Sequence, residues 1–187
     1  LSRAQIGNWE LFLFIASLLS FFWVTGIIQS LLTLYNRNRT FRTTGDTEGR
    51  KSPEIFNAFV LIVFFSVIVC LFAIPLKAVI PSSGRAAEIP YPELLLIYVL
   101  VSNPVALIEY IYLLNKRPHR ILQYGFYSYG GQVLFAIVPV LAGFDEKSAV
   151  WGLFAITAFR WIWLIVLLRR YTLIKVSYDF MREHLRV

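Results

Sequence analysis

Long apolar runs constrain this chain more than any motif in it. Five stretches, about 9–35, 55–76, 94–114, 121–141 and 149–168, each approach or exceed the ~20 apolar residues that a helix needs to cross a bilayer core. Lipid offers backbone N–H and C=O groups no partners, so such stretches must be helices or strands of a closed barrel, and no alternating ten-residue barrel strands occur. The sequence therefore predicts an all-α, polytopic membrane helix bundle. It has five transmembrane helices in one lobe over 1–187, with a polar loop and no second domain between the first two.

The basic residues sort onto alternate connections. Arg37, Arg39, Arg42, Arg50 and Lys51 follow the first stretch, Lys116, Arg117 and Arg120 the third, and Arg169, Arg170, Lys175, Arg182 and Arg186 the fifth. The opposite connections hold only Arg3, Lys77, Arg85 and Lys147. By the positive-inside tendency the three basic segments are cytoplasmic, the fragment starts outside and it ends inside. An outside start without a translocation signal implies a preceding span, so the chain is expected to be part of a longer protein. The tail, 169–187, mixes Leu173, Ile174, Val176, Phe180, Met181 and Leu185 with charges and reads as an amphipathic helix on the inner surface.

A net charge of +7 on a chain that is 58% hydrophobic and 16% charged points to anionic headgroups, because the cations are split among membrane stretches and form no nucleic-acid motif. The partners expected are membrane lipids, with no nucleic acid. Cys70 is the lone cysteine and reads as a packed thiol, and His119 and His184 lie in separate segments without companions at metal-ligand spacing. No metal site or cofactor is expected. Nor is an enzyme: there is no glycine-rich phosphate loop, no Gly-x-Ser-x-Gly elbow and no His-paired nucleophile, and Ser66, Ser102 and Ser128 read as packing or helix-bonding groups.

Local signals refine the layout. Asn8 and Glu10 suggest a cap and first turn for the first helix, and Gly26 and Ser30, four apart, offer a small-residue face for close contact. Pro53 and Glu54 suit the start of the second helix, a short interfacial segment fits 76–80, and Asn103-Pro104 predicts a kink in the third. Gly130-Gly131 beside tyrosines suggests close backbone packing or a bend in the fourth, and Trp151, Trp161 and Trp163 partly resemble interfacial anchors in the fifth.

Polar residues inside the spans carry the chemistry. At ~1.5 Å per residue, Arg160 lies roughly 13 Å from Arg169, Glu109 about 10 Å from Lys116, Gln29 about 12 Å from Arg37 and Asn57 about 9 Å from Lys51. A charge near mid-bilayer costs at least ~2.5–3.5 kcal/mol, so Arg160 must face protein or a wet cavity. Ser102, Ala106 and Glu109 share one helix face with Asn103 beside it, and Gly152, Thr157 and Arg160 share another. Three readings stand: facing stripes that line a hydrophilic cavity for an anionic substrate, a static Glu109–Arg160 pair with Gln29 and Asn57 as interhelical hydrogen-bond partners, or snorkelling of Glu109 or Arg160 without special function.

The opening string from Leu1 through Gly7, Trp9 and Glu10, the central Gly26 and the turn at Tyr35-Asn36-Arg37 resemble the second helix of polysaccharide flippases. These belong to the multidrug/oligosaccharidyl-lipid/polysaccharide exporter superfamily. The layout is similar over nearly the whole chain, which would make the fragment helices two to six of a six-helix N-terminal lobe. The resemblance implies a second lobe of the same chain, a central cavity, and alternating access that carries a lipid-linked oligosaccharide across the bacterial inner membrane for surface polysaccharide biosynthesis. It also implies a cationic cavity residue at Arg160, neighboured by Glu109, with Gln29, Asn57, Asn103 and Gln132 as wall residues. A multidrug or lipid exporter of the same superfamily and a non-transporting membrane scaffold are the alternatives. No ATP-binding motif occurs in this segment, so an ion gradient or consumption of product would supply the energy.

Overall fold

The structure, a computed structural model, describes residues 3–41, 52–79, 91–144, 146–174, 176, 178, 181 and 182. The described residues form helices α1 (Arg3–Phe41), α2 (Pro53–Val79), α3 (Pro92–Ser102), α4 (Leu107–Leu114), α5 (Pro118–Leu141) and α6 (Glu146–Tyr171), with a 3-10 turn, Pro104–Ala106, between α3 and α4. No strand occurs among them. The chain is all-helical, as the apolar runs require.

Among the described residues four segments are long and apolar enough to cross a membrane: Ile6–Arg37, Pro53–Ala73, Pro92–Leu114 and Lys147–Tyr171. This differs from the five expected. The 121–141 stretch does fold as a helix, α5, of 24 residues. The part up to Gln132, however, carries Gln123, Ser128, Gln132, several tyrosines and three glycines, and that composition dilutes its apolarity.

Local chemistry explains most helix ends. Pro53 opens α2, where its missing N–H costs nothing, and Glu54 sits in the first turn. Asn103-Pro104 breaks the third span into α3 and α4. Proline cannot donate to the preceding turn, and the chain answers with a 3-10 turn. The α5 end is a Schellman motif. Gly143 takes the left-handed φ of 86°, its N–H donates to the Val140 carbonyl and that of Phe144 to the Pro139 carbonyl. The same pair of bonds closes α4, from Lys116 to Leu113 and from Arg117 to Tyr112, with Lys116 holding the left-handed position at φ 53°.

Three expectations change. The first helix begins at Arg3, so Asn8 lies inside it and does not cap it. Residues 76–79 continue α2 rather than forming a separate interfacial segment. The tail leaves the helix after Tyr171, and Thr172 pairs in an isolated parallel bridge with Ser52, the Ser52 N–H donating to the Tyr171 carbonyl at 3.0 Å. Most of the expected tail helix lies outside the described residues, although Tyr178, Met181 and Arg182 are helical.

Two apolar clusters hold the bundle. One, at the end bearing Arg117 and Arg170, joins Ile27 and Leu31 of α1, Ile55 and Ile62 of α2, Leu107 and Ile111 of α4, Tyr124 of α5 and Leu164 and Leu168 of α6, with Met181 packed against it. There Arg117 and Arg170 both lie over the Tyr171 ring, at 5.8 and 5.6 Å. The other cluster, at the opposite end, joins Phe12 and Ala16, Leu95, Tyr98 and Val99, and Val150 and Leu153. It draws on α1, α3 and α6 alone.

Close backbone contact occurs between α5 and α6. A Cβ at Gly152 would lie 2.0 Å from the Phe135 carbonyl oxygen, and one at Gly131 would lie 2.6 Å from Ile156 Cδ1. At Gly26, by contrast, a Cβ would meet nothing within 4 Å, so of the expected small-residue face Ser30 is buried but Gly26 makes no close contact. Gly26→Ala should therefore leave the protein as stable as before or stabilise it by up to about 1 kcal/mol through helix propensity. Thermal unfolding in detergent checks this, and a marked loss of stability would refute it.

Candidate functional site

Gln29, Ser102, Glu109 and Arg160 meet at an open cavity of about 340 Å3, lined by α1, the broken α3–α4 segment, α5 and α6. On α1 the lining residues Thr25, Ile28, Gln29 and Leu32 recur at i, i+3, i+4 and i+7, one helical stripe. On the broken span Ser102, Ala106 and Glu109 form the wall, in the face the sequence spacing gives them. Tyr110, Tyr129 and Arg160 complete it. The volume falls within the ~300–1,000 Å3 usual for small-ligand sites.

The break at Asn103-Pro104 places two of these walls. Asn103 is buried and its Nδ2 donates to Ser66 Oγ on α2 at 3.3 Å, which pins α3 to α2. The irregular turn leaves the Val101 carbonyl available, and Trp161 Nε1 donates to it at 2.8 Å. Trp163 Nε1 donates to Tyr112 Oη, also at 2.8 Å. The two indoles thus tie α6 to both halves of the broken span. Both are part-buried cross-links within the bundle, whereas Trp151 is exposed.

Glu109 and Arg160 share the cavity without pairing. Arg160 Nε donates to Tyr124 Oη at 2.8 Å, and its Cζ lies 5.6 Å from the Tyr124 ring centroid. Tyr124 is itself buried, with its ring edge-on to Trp163 at 5.5 Å. Glu109 instead accepts a hydrogen bond from Tyr129 Oη at 3.3 Å. Among the described residues no ion pair joins the two charges, and the terminal guanidinium nitrogens of Arg160 have no hydrogen-bond partner. A static Glu109–Arg160 bridge is not what the structure contains.

Of the residues singled out in the sequence, Gln29, Glu109 and Arg160 come together at the cavity. Asn57 does not: it is fully buried, and its Nδ2 donates to the Pro53 carbonyl of its own helix at 2.9 Å. Asn103 bonds Ser66 away from the lining, and Gln132 on α5 also lies outside it. Tyr124 and Tyr129, which hold the two charges, carried a signal: tyrosines prefer the membrane interface, so phenols at the heart of a span need polar partners.

Chemically the cavity offers a guanidinium with open donor positions, a carboxylate, a primary amide, two hydroxyl-bearing side chains at Thr25 and Ser102, and two phenols. That set can bind and release a polar ligand. No family model, curated protein or solved structure matches the chain.

Proposed function

We propose that the chain forms part of a polytopic transporter that flips a lipid-linked oligosaccharide across the bacterial inner membrane by alternating access, with Arg160 meeting the anionic linkage between lipid and glycan. The observation that carries this reading is the cavity itself: a guanidinium and a carboxylate held unpaired within helices that are otherwise apolar. A charge in that setting is costly unless it faces water or a ligand, and a chain with only a structural need could have used apolar residues or a closed pair.

In this reading α5 is a fifth span. It starts beside Tyr171 at one end of the bundle and hands over to α6 near Val150 at the other, and its 24 residues rise about 36 Å. Tyr129 on its polar half lines the cavity, and the rest of that half would face a second lobe of the same chain. The basic end, with Arg117 and Arg170, is cytoplasmic, which puts the cavity nearer the leaflet where lipid-linked sugars are assembled. The helix break at Pro104 is a point where the lobe can bend as access alternates.

Depleting the protein in its native cell should cause lipid-linked glycan to accumulate in the inner leaflet and surface polysaccharide to fall. Normal surface polysaccharide with no accumulated intermediate refutes the reading. Loss of resistance to amphiphilic drugs, without glycan accumulation, would assign the cavity to drug export.

A further inference from the structure

Two opposite charges lining one cavity should attract and close on each other, yet here each is held by a different tyrosine of α5. Tyr124 takes Arg160 and Tyr129 takes Glu109. The two tyrosines are five positions apart, which sets them about 7.5 Å apart along the helix. The α5 helix therefore works as a spacer that keeps the guanidinium and the carboxylate apart. A spacer of this kind has no use for a ligand that is only an anion. Such a ligand would gain from Arg160 but would also face the Glu109 carboxylate a short distance away, and like charges held in a poorly screened site repel.

We propose that the cavity recognises a zwitterionic group, with a phosphate-type anion bound at Arg160 and an ammonium group bound at Glu109. The terminal guanidinium nitrogens offer the paired donors that suit phosphate oxygens. Glu109 accepts one phenolic hydrogen bond, which leaves acceptor capacity for an ammonium group. Tyr110 on α4 and Tyr129 on α5 line the same cavity, and aromatic rings attract ammonium groups. Gln29, Thr25 and Ser102 add neutral hydrogen-bonding capacity across the cavity, which suits sugar hydroxyls without adding charge. This deepens the proposed function and rests on the cavity being the substrate site. The shared chemistry has two sources: a lipid-linked glycan whose first sugar bears a free amine, or an aminophospholipid headgroup.

The test uses the full-length protein in nanodiscs and follows tryptophan fluorescence, since Trp161 adjoins Arg160. Two probe pairs differ only in the amine: glucosamine 1-phosphate against glucose 1-phosphate, and phosphoethanolamine against ethyl phosphate. The amine-bearing member of at least one pair should bind about tenfold more tightly, the size expected for one added charge-assisted hydrogen bond. Preference within the sugar pair assigns the glycan source, and preference within the ethanolamine pair assigns the phospholipid source.

Glu109→Gln should erase the preference and bind the amine-free probe more tightly than the parent does, because the repelling carboxylate is gone; that gain also shows that the variant is folded. Arg160→Gln should weaken every probe. Equal, Arg160-dependent affinities within both pairs would overturn the zwitterion proposal and leave the transport reading standing. So would a preference that survives Glu109→Gln. If none of the four probes binds, the cavity is not the substrate site and both readings fall.

Discussion

Gly152→Ala should loosen the hairpin of α5 and α6 more than the same change at any other described glycine. The added Cβ would sit 2.0 Å from the Phe135 carbonyl oxygen, 2.6 Å from its carbon and 3.3 Å from the Ala136 nitrogen. These are backbone atoms inside a helix, so no rotamer change relieves the overlap and the two helices must move apart. Overpacking of this kind typically costs 1–3 kcal/mol, and the rigidity of both partners puts the expected loss near ~3 kcal/mol. At Gly131 the colliding atom is Ile156 Cδ1, 2.6 Å away, the far end of a flexible side chain. Gly131→Ala should therefore cost about 1 kcal/mol or less, and Ile156→Val, which removes that methyl, should rescue it. Thermal unfolding in detergent micelles ranks the variants. If Gly152→Ala unfolds like the parent, the backbone contact between α5 and α6 does not exist.

Gly152 also shows what the sequence could and could not disclose. Charge sorting and apolar runs locate the helices because lipid leaves the backbone no other choice, and the Asn103-Pro104 break was legible because proline removes a donor wherever it falls. Counting residues from the basic ends gave each polar side chain a height in the bundle. Height is not azimuth. Gln29 and Asn57 were assigned similar depths, yet Gln29 faces the cavity and Asn57 is fully buried. The apolar residues around both are so evenly spread that no hydrophobic stripe marks an inward face; in a span, lipid and core are both apolar.

The same ambiguity separates Gly26 from Gly152. Each is a glycine within an apolar helix, and only the packed structure tells that one touches a neighbouring backbone and the other touches nothing. The Ser102, Ala106 and Glu109 stripe was legible as a shared face, because helical spacing alone fixes it. That α5 would supply the phenols holding both charges was not. Tyr124 and Arg160 are 36 positions apart in the chain, and their meeting depends on how the α5–α6 hairpin closes at Gly152.

If the chain is the transporter proposed, Arg160→Gln should cut glycan transport in cells by more than tenfold while leaving the protein folded, and that combination separates a substrate group from a structural one. If Arg160 were one half of a buried ion pair, removing it would leave Glu109 uncompensated at a cost of about 3–5 kcal/mol, and neutralising both would restore the bundle. The observed partners argue otherwise: the guanidinium loses one bond to Tyr124, and its removal relieves the ~2.5–3.5 kcal/mol or more that a charge costs near mid-bilayer. Thermal stability of Arg160→Gln should thus equal or exceed that of the parent. Transport should fall by more than tenfold, since an anion loses charge-assisted bonds worth about 1.5–3 kcal/mol. Arg160→Gln combined with Glu109→Gln should be as inactive as Arg160→Gln alone. Tyr124→Phe, which keeps the ring beneath the guanidinium but removes its acceptor, should transport at an intermediate rate because the arginine remains but is less well aimed. Surface polysaccharide and lipid-linked intermediate, measured side by side with unfolding temperature, provide the readout. Restored transport in the double variant would mean that Glu109 and Arg160 serve only each other, and the cavity would lose its claim to a ligand.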